Sequence, residues 1–234
     1  MSTRFRRFII KSVVVLIALS PACWLTYAAF TDGLGANPIQ MLTQETGTWT
    51  LRFVAATLAI TPLRRLTGWN WLIKFRRMLG LFAFFYGTVH FFTWSWLDQF
   101  FDWNGMVKDV LKRPFITVGF TAFVLMIPLA LTSTTGWIRR LGGKRWNRLH
   151  QLIYVTAILG VIHYYWLVKL DTTRPVRYGI VVATLLAARA VYVLQKKRAR
   201  PSLDRAGARA GAVLPRDHGH GGGARQGRES PGSV

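Results

Sequence analysis

The sequence predicts an all-α integral membrane protein, a six-helix transmembrane bundle followed by a disordered C-terminal tail, and three observations predict it. Apolar stretches recur six times at close to the length, about 20 residues, that a helix needs to cross about 30 Å of hydrocarbon. Only 17% of the 234 residues are charged and 51% are hydrophobic, whereas a soluble domain carries about 25% charged residues. The Lys and Arg that produce a formal net charge of +22 lie between the apolar stretches. That charge therefore reads as a topology signal and excludes a nucleic-acid binder, whose basic residues gather on one polar face.

The first stretch, Phe8–Phe30, follows a basic start and ends in small residues near Ala28, a pattern shared with secretory signal peptides. Its length and the five spans behind it favour retention as the first helix. The second, Thr48–Leu63, is short and carries Arg52, yet Phe53, Val54, Leu58, Ile60 and its alanines keep it apolar. The remaining four are Met78–Leu97, Phe115–Thr132, Leu149–Val168 and Val176–Leu194. Most tryptophans, among them Trp49, Trp71, Trp94, Trp137, Trp146 and Trp166, stand at segment ends, where amphipathic rings settle at headgroup level. Residues 1–194 thus read as one transmembrane domain. Residues 195–234 turn to Lys, Arg, Gly, Ala, Ser and Pro, too poor in large apolar side chains to offset the entropy of ordering, and read as a disordered basic tail. His218 and His220 in that tail offer no preorganised grip on a metal. The single cysteine, Cys23, excludes an internal disulfide and a cysteine-based metal cluster.

Charge sets the orientation. If the spans alternate, one side holds the arginines and lysines near residues 4–11, 64–77 and 139–148, with Arg189 and the tail. The other side holds Arg52, the Lys108–Arg113 cluster, Lys169, Arg174, Arg177 and every acidic residue ahead of the tail. The excess of Lys and Arg marks the cytoplasmic face, so both termini are expected to be cytoplasmic.

Three histidines lie in the membrane part, His90, His150 and His163, and ligand-capable residues inside spans are functional suspects. At 1.5 Å per residue, His90 sits about 21 Å from the cytoplasmic edge and His163 about 22 Å, so they share a level in the outer half. Two imidazoles at equal depth on separate helices, with no Cys, Asp or Glu beside them, suit poorly a zinc site and suit well the axial positions of a haem held between helices 3 and 5. Gly87 and Gly160, one turn from each histidine, could leave room for a porphyrin face. His150 lies about 3 Å past Arg148, near the inner edge. It shares the fifth span with His163, and their thirteen-residue separation, about 3.6 turns, leaves the two on different faces. Arg76, Arg77 and Arg148, with Trp146 beside them, can grip a haem propionate or a flavin phosphate near His150, because a guanidinium forks onto either anion. Each arginine singly also serves as positive-inside charge.

Arg76-Arg77-Met78-Leu79-Gly80-Leu81 leading to His90, Leu131-Thr132-Ser133, and Trp146-Asn147-Arg148-Leu149-His150-Gln151-Leu152-Ile153-Tyr154 followed by His163 together resemble the MsrQ family. These are haem-binding membrane subunits of bacterial protein-methionine-sulfoxide reductase systems. The resemblance covers about Arg6 to Gln195. More distantly the layout is similar to the ferric-reductase and NADPH-oxidase membrane domain, which carries two histidines on each of two helices; this chain has arginine where the fourth would stand. The resemblance implies an electron-transfer subunit and not the catalytic one: haem b, one or two, FMN, and a place in the bacterial inner membrane. It implies electrons from quinol or a cytosolic flavin reductase, and delivery to a periplasmic molybdenum-containing reductase that repairs oxidised methionines. A ferric-reductase-like or quinol-linked b-type cytochrome with another acceptor remains the alternative. A transporter using its histidines for protons or metal is disfavoured by the lack of acidic residues in the spans and of an internal repeat.

Overall fold

A computed structural model of the chain describes residues 3–168 and 170–212, and among these every regular element is helical. The six expected spans fall in α1 (Thr3–Phe30), α2 (Pro38–Thr67), α3 (Arg76–Phe92), α5 (Pro114–Leu131), α7 (Leu152–Leu167) and α8 (Thr173–Ala212), with two further helices, α4 (Trp103–Lys112) and α6 (Thr135–Leu149). Phe8–Phe30, Pro114–Leu131 and Thr173–Gln195 are long and apolar enough to cross a membrane, and α7 is a shorter apolar helix.

Local chemistry sets the boundaries. Asn37 caps α2 by accepting from the Gln40 N–H, Pro38 fills its first turn, and Gly68 closes it in the left-handed conformation at φ 74°, as capping preferences dictate. The helix is therefore longer than the apolar run that announced it. Beyond Phe92, α3 loosens into a π-helical stretch, Thr93–Asp98, a widening often found beside functional sites. Asp102 caps α4 by accepting from the Asn104 N–H at 3.1 Å.

Two sequence expectations change. The basic stretch between the fourth and fifth spans is helical, as α6, kinked at Gly142 (φ 70°, ψ 152°). His150 closes that helix, and α7 begins only at Leu152. His150 and His163 thus stand on different helices, and counting turns between them has no meaning. At the other end, α8 runs through Ala212, past the expected boundary at residue 195; alanine and arginine are strong helix formers. The rest of the expected tail, from residue 213 with His218 and His220, lies outside the described residues.

The chain divides into a unit ending at Ala190 and a second from Val191 onward. Within the first, the closest pairings are α2 with α3 and α5 with α7. Its core is a thin seam of Ala18, Phe53, Val54, Leu58, Ala83, Tyr86, Met126, Leu129, Ile153, Ala157 and Val182. Leu16, Ile17, Tyr27, Val124, Val155, Ile180 and Val181 are exposed, an apolar exterior that suits lipid and not water.

α1 is pinned to this seam by one buried side chain. Pro21 lies inside α1 and cannot donate to the Ile17 carbonyl; the Ser20 hydroxyl donates to it instead at 2.9 Å. One residue on, the Tyr86 hydroxyl enters the opened ladder, accepting from the Ala22 N–H at 3.1 Å and donating to the Ala18 carbonyl at 2.7 Å. Tyr86→Phe should remove both bonds that tie α3 to α1, at about 0.5–1.5 kcal/mol each, while the Ala22 N–H and Ala18 carbonyl turn back to each other as ordinary helix partners; the loss is read as a lower Tm of the purified protein. An unchanged Tm would mean the hydroxyl does not hold α1.

Candidate functional site

His90, near the end of α3, and His163, in the last turns of α7, face each other with ring centroids 6.1 Å apart and planes at 72°. The equal depths derived from helical rise thus correspond to side chains in direct apposition. Each ring is oriented by a backbone carbonyl of a neighbouring helix. His90 Nδ1 lies 2.9 Å from the Thr43 oxygen on α2, and His163 Nδ1 lies 2.7 Å from the Phe115 oxygen on α5. A carbonyl only accepts, so each Nδ1 carries the proton and donates it. Each Nε2 then keeps its lone pair, the tautomer found in metal-ligating histidines.

The pair fits one six-coordinate iron. With metal–nitrogen bonds of about 2 Å, two imidazoles on opposite sides of one metal have centroids about 6.3 Å apart. Among the described residues no cluster of three His, Cys, Asp or Glu could hold a metal by itself. A group that brings its own equatorial nitrogens therefore suits this donor set best.

Glycines make the close approach possible, and they are not those singled out from the sequence. A Cβ at Gly87 or Gly160 would meet only Thr50, Met126 or Leu51 at 3.5 Å or more. A Cβ at Gly47 would lie 3.0 Å from His90 Cε1, and one at Gly119 only 2.6 Å from His163 Nδ1. Level-matching extended from the histidines to the neighbouring helices could have found both, since each stands at its histidine's height.

The inner cluster is built around His150. Its ring stacks on Trp146, with centroids 3.8 Å apart and planes at 27°, and Trp146 is itself fixed by donating from Nε1 to the Thr132 carbonyl at 2.9 Å. His150 Nδ1 lies 3.1 Å from the Trp146 oxygen and so donates to it. Nε2 stands 3.5 Å from the Ser133 hydroxyl, whose proton is committed to the Leu129 carbonyl at 2.7 Å. The Leu129 carbonyl also acts on this ring, so His150, unlike either histidine of the outer pair, has a second backbone partner besides the one that orients Nδ1.

The candidate arginines separate. Arg76 is half-buried, close enough to act electrostatically on His150, and lines a small cavity with Thr57, Thr61, Tyr154 and Arg189. Arg77 and Arg148 are exposed. Arg189, which sequence reasoning assigned only to inner-side charge, lies over the Tyr154 ring at 4.9 Å. Two guanidiniums share this cavity with no acidic side chain in its lining, a setting that favours an anion. Between the inner and outer clusters, Thr156 lies seven residues before His163 on α7 and so faces the same way. Its hydroxyl is buried without a hydrogen-bond partner.

Comparison with known proteins places these features. The family model of the ferric reductase like transmembrane component matches residues 46–161. The chain is 58% identical over 191 residues to the protein-methionine-sulfoxide reductase heme-binding subunit MsrQ of Herminiimonas arsenicoxydans, covering 81% of this chain and 88% of that one. It is 52% identical over 208 residues to the subunit of the same name from Ralstonia nicotianae, covering 88% and 93%. Against the one from Rhodospirillum rubrum it is 48% identical over 189 residues, covering 80% and 90%.

Proposed function

Because the chain belongs to the family of MsrQ heme-binding subunits, membrane proteins of protein-methionine-sulfoxide reductase systems with a ferric-reductase-like transmembrane component, we propose that it is a b-type cytochrome with His90 and His163 as the axial ligands of one haem. The observation that carries this reading is the ring pair itself: two imidazoles 6.1 Å apart, each with Nδ1 on a carbonyl and Nε2 free to ligate. When bound there, haem supplies reversible one-electron transfer between ferric and ferrous iron. The chain's own residues hold the two ligands at fixed spacing, set their tautomer and keep water from the site.

Six helices, α1, α2, α3, α5, α7 and α8, cross the bacterial inner membrane in this reading, with both termini cytoplasmic, as the distribution of Lys and Arg supports. The haem then lies toward the periplasmic side. The inner cluster holds a second carrier, FMN or a second haem, with His150 as its ligand or neighbour. Arg76 and Arg189 hold its anionic groups, and Trp146 fixes the His150 ring; Arg77 and Arg148 contribute inner-side charge. Electrons enter from quinol or a cytosolic flavin reductase and leave to a periplasmic molybdenum-containing methionine sulfoxide reductase. That partner performs the repair, and this chain is its conduit. The protein purified from membranes should show sharp reduced α and Soret bands of a six-coordinate low-spin haem; a colourless preparation would end this reading.

A further inference from the structure

The two histidines are held by one device built twice. Each ring is oriented by the spanning helix that comes before its own in the chain, α2 for His90 on α3 and α5 for His163 on α7. In each case the accepting carbonyl and the close-packed glycine are four residues apart: Thr43 with Gly47, Phe115 with Gly119. The spacing has a physical reason. In an α-helix every Cα–Cβ bond tilts toward the N-terminus, so a side chain at i+4 overhangs the carbonyl of residue i. A glycine at i+4 uncovers that carbonyl. The oxygen has two lone pairs, so it can serve its own helix and still accept from a ring lying flat over the glycine.

We infer that Gly47 and Gly119 are positioning residues for the axial ligands: each opens the wall of its helix at one carbonyl, and that carbonyl fixes both the Nδ1–H tautomer and the rotation of the opposing imidazole. The 72° between the ring planes follows from two helices presenting their carbonyls from different directions. The donated hydrogen bond makes each imidazole more basic, which favours ferric over ferrous iron and lowers the midpoint potential. A Cβ at Gly119, 2.6 Å from Nδ1, forces the His163 ring off its carbonyl, whereas one at Gly47, 3.0 Å from Cε1, shifts the His90 ring only slightly on its carbonyl. At Gly119 the new Cβ would meet His163 Cγ at 2.9 Å as well as Nδ1, so the ring cannot escape by moving only its tip.

This inference rests on the haem reading above, and its test separates the two. Wild type, Gly47→Ala, Gly119→Ala and Gly80→Ala are purified with haem and examined by electron paramagnetic resonance and redox titration. Gly80 belongs to the same α2–α3 contact as Gly47, but its Cβ would meet only Thr57 Cγ2 at 3.8 Å, which makes it a control for packing alone. The wild type should give the strongly anisotropic low-spin ferric signal of near-perpendicular imidazoles. Gly119→Ala should lose that anisotropy and shift the midpoint potential upward, with loss of haem as its extreme, and Gly47→Ala should change both in the same direction by less; Gly80→Ala should match the wild type. A wild-type signal of parallel imidazoles overturns the inference without any variant. So do alanine variants with full haem and unchanged signal and potential, or a Gly80→Ala variant as impaired as they are. If Gly119→Ala does not accumulate, Gly47→Ala decides. A wild type lacking two histidine ligands overturns the haem reading itself.

Discussion

His90→Ala and His163→Ala should each abolish the outer haem, leaving a membrane-inserted protein without its bis-histidine spectrum. Each ring supplies one of the two nitrogens that a haem asks of this site, and the rings oppose each other at 6.1 Å. Nothing nearby replaces either. The hydroxyl of Thr93 is bonded to the His90 carbonyl at 2.8 Å, that of Thr43 to the Ile39 carbonyl at 2.8 Å, and among the described residues no carboxylate joins the pair in a metal-holding group. Insertion should survive, because α2 with α3 and α5 with α7 are the most extensive helix pairings and the core seam does not include either histidine. The measurement is haem per protein together with the reduced-minus-oxidised spectrum. A full bis-histidine spectrum from either variant would remove that residue from the ligand set, and an absence of both proteins from the membrane would give the histidines a structural role instead.

The pairing was legible in the sequence because depth is. A helix rises 1.5 Å per residue whatever its composition, so counting inward from the arginines set His90 and His163 at one level before any contact was known. Azimuth is different. Arg76 and Arg77 are neighbours in sequence but about 100° apart around α3, and only the packed structure tells which one turns inward. The same ambiguity hid Arg189, which composition assigns to the inner edge of the last span and packing sets over Tyr154. Gly47 and Gly119 were reachable by level, since each stands at its histidine's height, but level does not say which face a glycine turns toward its neighbour, and a lone apolar run carries no record of that. His150 was misread through continuity. Leu149–Val168 looks like a single apolar run, but the chain turns at His150 and Gln151, with the Gln151 N–H bonded to Arg148 and the Tyr154 N–H bonded to Gln151. The amphipathic α6 ends there, and its basic residues register in the sequence only as inner-side charge.

His150→Ala should leave the outer haem and its spectrum in place while slowing its reduction by the physiological donor. In the orientation proposed above, the outer pair lies about 21 Å from the cytoplasmic edge by helical rise, too far for an electron to pass quickly without an intermediate carrier. The inner cluster has the parts to hold one: the His150 ring, a Trp146 stacked on it, and Arg76 and Arg189 in one cavity for anionic groups. The buried, unpartnered Thr156 hydroxyl lies on the way from this cluster to His163. Groups that support a bound cofactor typically contribute about 10–100-fold in affinity or activity, so donor-driven reduction should fall by roughly that factor in His150→Ala. Chemical reduction by dithionite, which does not depend on the donor site, should proceed as in wild type. Trp146→Phe should lose the indole bond to Thr132 but keep a stacking ring, and so fall between the two. An unchanged donor-driven rate in His150→Ala, at full outer-haem content, would reduce His150 to the residue that ends α6, and the second carrier would have to be sought elsewhere on the inner face.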